Sequence, residues 1–181
     1  MSPAHASVAV TIRPEAPGDE VAVRAVVNAA FAPKTHEALI VDALRDSDRW
    51  IPELALVAED ADGRIVGQCV TSLADLVADD ESAGWILALG PIAVEPALQG
   101  RDIGGALLRA SFAIATDAGW PAIVLLGHAD YYPRFGFEAA RPLGLLPQQP
   151  WSDAHWLVRR LPGWTPALRG TVRFPAAFGT D

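Results

Sequence analysis

Cysteine occurs once in the chain, at Cys69, which excludes an intrachain disulfide and suits a reducing compartment. One thiol cannot build a thiolate metal cluster. His5, His36, His128 and His155 show no paired-ligand spacing, so no metal is expected. Long hydrophobic runs are also missing. The longest uncharged stretch, Ser82 to Val94, is too short to span a bilayer and is broken by Gly and Pro. The opening MSPAHASVAV has neither a basic region nor a continuous apolar core, so no secretory signal and no membrane partner are expected, and a cytoplasmic location follows. Positive charge is scarce: 14 Lys and Arg face 22 Asp and Glu, a net charge of −8, with no basic stripe to attract nucleic acid. A negative rim would favour a cationic amine, although acidic surfaces are also ordinary solubility devices. Nucleotide loops are absent too. No G-x-x-x-x-G-K-[ST] occurs, and the dinucleotide pattern after Gly100 fails at Asp102.

What remains is a globular composition. The chain has 181 residues, 51% of them hydrophobic, with six Trp and six Phe, and this suits one domain with a sizeable core. No linker, repeat or low-complexity tract interrupts residues 1–181, and Met1 to Ser7 read as a loose tail. Cys69 reads as a small buried hydrophobe on a strand rather than a nucleophile.

Val8 to Arg13 is β-branched and predicts a first strand closed by Pro14. Asp19 is placed to cap a helix whose Val23, Val26, Val27 and Ala30 share one face, with Pro33 ending it. Thr35 opens a second helix through Arg45, with Leu39, Ala43 and Leu44 apolar. Leu54 to Glu59 and Ile65 to Ser72 flank Asp60-Ala61-Asp62-Gly63 and read as a hairpin. Asp75 to Ser82 reads as a polar connection. Ala122 to Leu126 is a continuous apolar strand. Ala129 to Phe135 predicts a short helix or turn, and the proline- and tryptophan-rich end predicts strands at His155 to Arg159 and Thr171 to Phe174.

The chain is organised around Trp85 to Leu108. An apolar strand carries Gly90-Pro91 in its middle, where Pro91 has no N–H for a ladder and Gly90 tolerates a bulge. Such a strand should part from one neighbour. The turn Gln99-Gly100-Arg101-Asp102-Ile103-Gly104-Gly105 then enters a helix striped by Ile103, Ala106, Leu107, Ala110 and Ile114 and closed by Gly119. Its backbone N–H groups converge at the positive end of the helix dipole, a site for phosphate or pyrophosphate.

Val94-x-Pro96-x-x-Gln99-Gly100-Arg101-x-Ile103-Gly104-x-Ala106-Leu107-Leu108 resembles the acetyl-CoA signature of the GNAT superfamily of N-acetyltransferases, written Q/R-x-x-G-x-G/A. Leu125 to Phe137, with Tyr132 four residues before Gly136-Phe137, resembles the second hallmark of that superfamily, in its YhbS-like branch. The likeness runs in order from about Val10 to Phe174, with Asp102 standing where the first signature glycine is usual. It implies an α/β GNAT fold: a mixed central sheet with a splayed, bulged strand, flanking helices and extra C-terminal strands.

The resemblance also implies acetyl-CoA as co-substrate. Backbone groups of Ile92, Ala93 and Val94 would hold its pantetheine arm as an added strand. The turn of Gln99, Gly100, Arg101, Asp102, Ile103, Gly104, Gly105 and Ala106 would hold its pyrophosphate. Tyr132 would sit over the donor sulfur and protonate the leaving thiolate. The motif spacing selects Tyr132 over Tyr131 beside it. A carboxylate at Asp102 would oppose a pyrophosphate by on the order of a few kcal/mol in a dry site, and by far less if turned to solvent. For the base, His128, Glu81 and Glu53 stay open, and His36 and Glu37 border the acceptor site in this fold. The implied partner is a small-molecule or protein amine, and a homodimer is compatible. Three readings follow: an N-acetyltransferase, a non-catalytic acyl-CoA-binding sensor or interaction module, and an interaction domain that lost its ligand. Tyr132 favours the first over the second, and the turn favours both over the third.

Overall fold

The computed structural model describes residues 9–179. In chain order its elements are β1 (Thr11–Pro14), α1 (Glu20–Phe31), α2 (His36–Arg45), β2 (Ala55–Glu59), β3 (Ile65–Val77) and β4 (Ala83–Val94). There follow α3 (Ile103–Asp117), β5 (Ala122–Leu126), β6 (Glu138–Ala139), β7 (Leu145–Pro147), β8 (Trp156–Arg160) and β9 (Gly170–Arg173). The architecture is mixed α/β, with a central sheet of parallel and antiparallel strands and flanking helices. The expected tail Met1–Ser7 and the strand start at Val8 lie outside the described residues.

The chain folds as two compact units, and β3 and β4 each run through both. The first holds the chain through Thr71 together with Pro91–Ile114. Here β1, β2 and β3 are antiparallel neighbours, with Pro14 at the end of the outer strand, where its missing N–H disturbs no ladder. The β2–β3 hairpin turns at Gly63, whose φ of 79° fits the acidic turn expected there. Helix α1 buries Val23, Val26 and Val27, the face its spacing predicts. Helix α2 differs: its buried face is Ala38, Ile40, Val41 and Leu44, while Leu39 is 56% exposed. Ala43 is exposed as well, so of the three apolar residues named for this helix only Leu44 faces the core.

The second unit holds Ser72–Gly90 and the chain from Ala115 onward. Its strand order is β7-β9-β3-β4-β5-β8-β6, with β4 and β5 parallel and β5 and β8 antiparallel. Strand β3 does not stop at Ser72. Asp75, Leu76 and Val77 pair with Arg173, Val172 and Thr171, so the expected polar connection shrinks to a turn closed by Ala78 N–H donating to Ser82 O. The core gathers Ile86, Ala88, Val124, Val158, Leu145, Val172 and Trp156. Trp156 donates its indole N–H to Leu145 O at 2.9 Å, which satisfies the one polar atom of a fully buried ring. Trp151 and Phe174 close around it with ring centroids 5.5 and 5.7 Å from the Trp156 ring, so the C-terminal aromatics are core.

Candidate active site

Strand β4 changes character at Gly90. Its register to β5 covers Leu87↔Ile123 and Ala88↔Val124 and ends two residues before Gly90, whose φ is 140°. In the first unit the strand's end stays bound to β3. Pro91 O accepts a buried hydrogen bond from Gln68 Nε2 at 3.0 Å, and Glu95 N–H donates to Val66 O at 2.9 Å. Ala93 is buried and flanked by the partly buried Ile92 and Val94.

After the 3₁₀ turn Pro96–Leu98, Gln99 donates twice, through its N–H to Pro96 O at 3.4 Å and through Nε2 to Val94 O at 3.1 Å. Gly100 and Asp102 both take left-handed backbone, with φ of 77° and 64°. A left-handed residue on each side of Arg101 is backbone of the kind that can gather successive N–H groups toward an anion. Ala106 N–H donates to Asp102 O at 2.9 Å and closes the first turn of α3. Ile103, Gly104 and Gly105 precede it, and no intrahelical carbonyl is available to the first N–H groups of a helix. The helix start is pressed onto β3: a Cβ added to Gly67 would meet Ile103 Cγ2 and Leu107 Cδ1, each at 3.2 Å. The start of α3 is thus packed against β3, and a helix start of this kind can offer N–H donors to an anion.

The φ of Asp102 gives the reason a glycine is usual at this place. A non-glycine residue there costs roughly 1–2 kcal/mol, and aspartate is among the few that adopt it. Its carboxylate accepts from Arg109 Nη2 at 2.5 Å, and the two side chains are 59% and 56% exposed. Gly105 leaves the path open, since an added Cβ there would overlap Asp102 Oδ1.

In the second unit, the chain leaving β5 passes Gly127 and His128 into the 3₁₀ turn Tyr132–Phe135. Tyr131 and Tyr132 both direct their N–H groups to His128 O, at 3.1 and 3.4 Å. Gly136 ends the turn with φ of 81°, and Phe137 N–H returns to Tyr132 O at 3.5 Å. The spacing of Tyr132 to Gly136-Phe137 is thus a local closure. The turn brings Phe137 edge-on to Tyr132, 5.6 Å between centroids, with Tyr131 at 5.0 Å on another side. Tyr132 is 9% exposed, and its ring lies against Gly127, where an added Cβ would come within 2.8 Å of Cδ2. A phenol held this firmly can give a proton to a defined point.

His36, Glu53, Glu81 and His128 are all exposed, with Glu81 in left-handed backbone at φ of 65°. Glu37 has one carboxylate oxygen, Oε2, buried without a hydrogen bond. Among the described residues no group of three or more His, Cys, Asp and Glu could hold a metal ion. Cys69 is fully buried, and burial pushes its thiol up to about 12, so it is no nucleophile. The sequence reading missed Gln68, Arg109 and Gly127. Gly127, just past an apolar strand and five residues before a tyrosine, carried the one readable signal.

A sequence model of the acetyltransferase (GNAT) domain matches residues 52–139. The chain is 32% identical over 155 residues to YjhQ, an uncharacterized N-acetyltransferase of Escherichia coli K12, covering 83% of this chain and 84% of that one. Its structure is similar to that of the GNAT family N-acetyltransferase YhbS of Escherichia coli, solved in complex with CoA. The TM-score is 0.86 and the identity 26%, over 97% of this chain and 94% of that one. It is similar also to a GNAT family acetyltransferase from Brucella melitensis in complex with acetyl-CoA, at TM-score 0.76 and 34% identity over 94% and 98% of the two chains.

Proposed function

This chain belongs to the GNAT family of N-acetyltransferases, and we propose that it passes the acetyl group of acetyl-CoA directly to an amine, with Tyr132 as general acid. The observation that carries the reading is the turn into α3, where Gly100 and Asp102 are both left-handed and α3 begins at Ile103. Solved relatives in complex with CoA and acetyl-CoA support it. The turn fits a pyrophosphate: the first N–H groups of a helix have no intrahelical acceptor, and its one carboxylate is engaged by Arg109.

In this reading the backbone of Ile92, Ala93 and Val94 pairs with the pantetheine arm. The turn of Gln99, Gly100, Arg101, Asp102, Ile103, Gly104, Gly105 and Ala106 receives the pyrophosphate, with Arg101 adding positive charge. Asp102 takes part through its N–H. The bound thioester supplies an activated acetyl carbon. A neutral amine attacks it, a C–N bond forms, the C–S bond breaks, and the departing sulfur takes the proton of Tyr132. The amine's surplus proton leaves through water, and water returns a proton to the Tyr132 phenolate. Holding the two reactants together supplies much of the rate, since effective molarities reach ~10⁵ M or more. The net charge of −8 favours a cationic acceptor, which binds as ammonium and reacts after losing a proton. A reducing, cytoplasmic setting suits a chain with one cysteine.

The test is release of CoA from acetyl-CoA over a panel of small amines and peptide N-termini, read with a thiol reagent. Amine-dependent release supports transfer. Binding of acetyl-CoA with no release for any amine would reduce the chain to a donor-binding module.

A further inference from the structure

We propose that Arg109 is a positioning residue for donor binding, engaging and neutralising the Asp102 carboxylate so that the first N–H groups of α3 are left to a phosphate. The inference rests on the reading of this turn as the pyrophosphate site.

Asp102 stands immediately before the first helical residue, and its C=O accepts from Ala106 N–H, so it occupies the N-cap. A carboxylate there ordinarily folds onto the second or third N–H of its helix, where it also meets the positive end of the dipole. In this turn that habit would be self-defeating, because the carboxylate would fill the donors and repel the ligand. Here Oδ2 accepts instead from Arg109 Nη2 at 2.5 Å. Arg109 is seven residues on, about two turns along the same face, and helical side chains lean toward the N-terminus, which aims its guanidinium back at Asp102.

Gly105 lies between them. A Cβ at this position would overlap Asp102 Oδ1 and stand 3.1 Å from Arg109 Nη1, so the bare glycine opens the lane across the helix. Asp102, Gly105 and Arg109 thus act together. The left-handed backbone accepts aspartate, the bare glycine gives its carboxylate room beside the helix, and the arginine neutralises it there. This accounts for a carboxylate at a place where the signature carries glycine.

Calorimetry with acetyl-CoA tests this on wild type, Arg109→Ala, Arg109→Ala/Asp102→Gly and Gly104→Val, with melting curves to check folding. Freeing the carboxylate in Arg109→Ala weakens binding by about tenfold, the scale of one nearby charge in a partly wet site. Removing that carboxylate as well restores the affinity to within about twofold of wild type. An Arg109→Ala protein that binds as wild type overturns the proposal. So does a double variant as weak as the single one, which would make Arg109 a direct phosphate ligand. The underlying reading fails separately, if wild type does not bind or if Gly104→Val binds unchanged.

Discussion

The ring of Tyr132 rests directly on Gly127: an added Cβ at Gly127 would stand within 2.8 Å of Tyr132 Cδ2 and of Leu125 Cδ1. The glycine is the seat that fixes the phenol, and Phe137 and Tyr131 close its sides. Gly127→Ala should therefore displace the ring. Overpacking of this kind destabilises by about 1–3 kcal/mol. Turnover should fall at least tenfold, roughly the effect of misplacing a reacting group by a fraction of an ångström. Acetyl-CoA affinity, measured by calorimetry, should change much less. Full turnover in a folded Gly127→Ala protein would show that the position of the ring does not matter.

Much of this was legible in local pattern. Strand β5 spans Ala122–Leu126 as its unbroken apolar run predicts, and Gly119 ends α3 with φ of 80° as a C-cap should. The order of strand, turn and helix around Gly90 to Leu108 followed from Gly, Pro and the helical stripe. What escaped depended on partners remote in sequence. The extension of β3 to Val77 needs β9, and the strands β6 and β7 are too short for any alternation to announce. The sequence marked Asp102 as out of place but could not reveal Arg109, because the pair forms only where Gly105 is bare and the backbone at Asp102 is left-handed.

Cys69 predicts an alkaline limit to stability. Burial raises its thiol from an ordinary 9.0 to about 12. The folded state then holds a proton that the unfolded state gives up, so stability is complete below about 9 and falls as pH rises toward about 12. Urea unfolding at rising pH should show that decline, and Cys69→Ala should flatten it by the share of one proton. An equally steep decline in the alanine variant would assign the loss to other groups. The same burial keeps the native protein silent to thiol reagents, which clears the background for measuring CoA release.

Gly104 tests the turn itself. Acetyl-CoA at a hundred times its dissociation constant should add about 2.7 kcal/mol of stability to wild type. Gly104→Val places a β-branched side chain in the first turn of α3, where the backbone must approach the phosphates, and should erase that gain while leaving the fold intact. A Gly104→Val protein stabilised as much as wild type would put the phosphate site elsewhere.

The most direct test of the chemistry is turnover of Tyr132→Phe beside wild type with the best amine from the panel, with acetyl-CoA affinity measured on both. The ring remains to pack against Gly127 and Phe137, and only the O–H is lost. General acid catalysis is worth ~10²–10⁴-fold, whereas one hydrogen bond alters binding by roughly 0.5–1.5 kcal/mol. The account predicts a fall in turnover of at least a hundredfold, about the lower end of that range, with affinity changed by no more than about tenfold. Turnover equal to wild type would contradict it, leaving Tyr132 as a packed wall and the thiolate to depart without its proton.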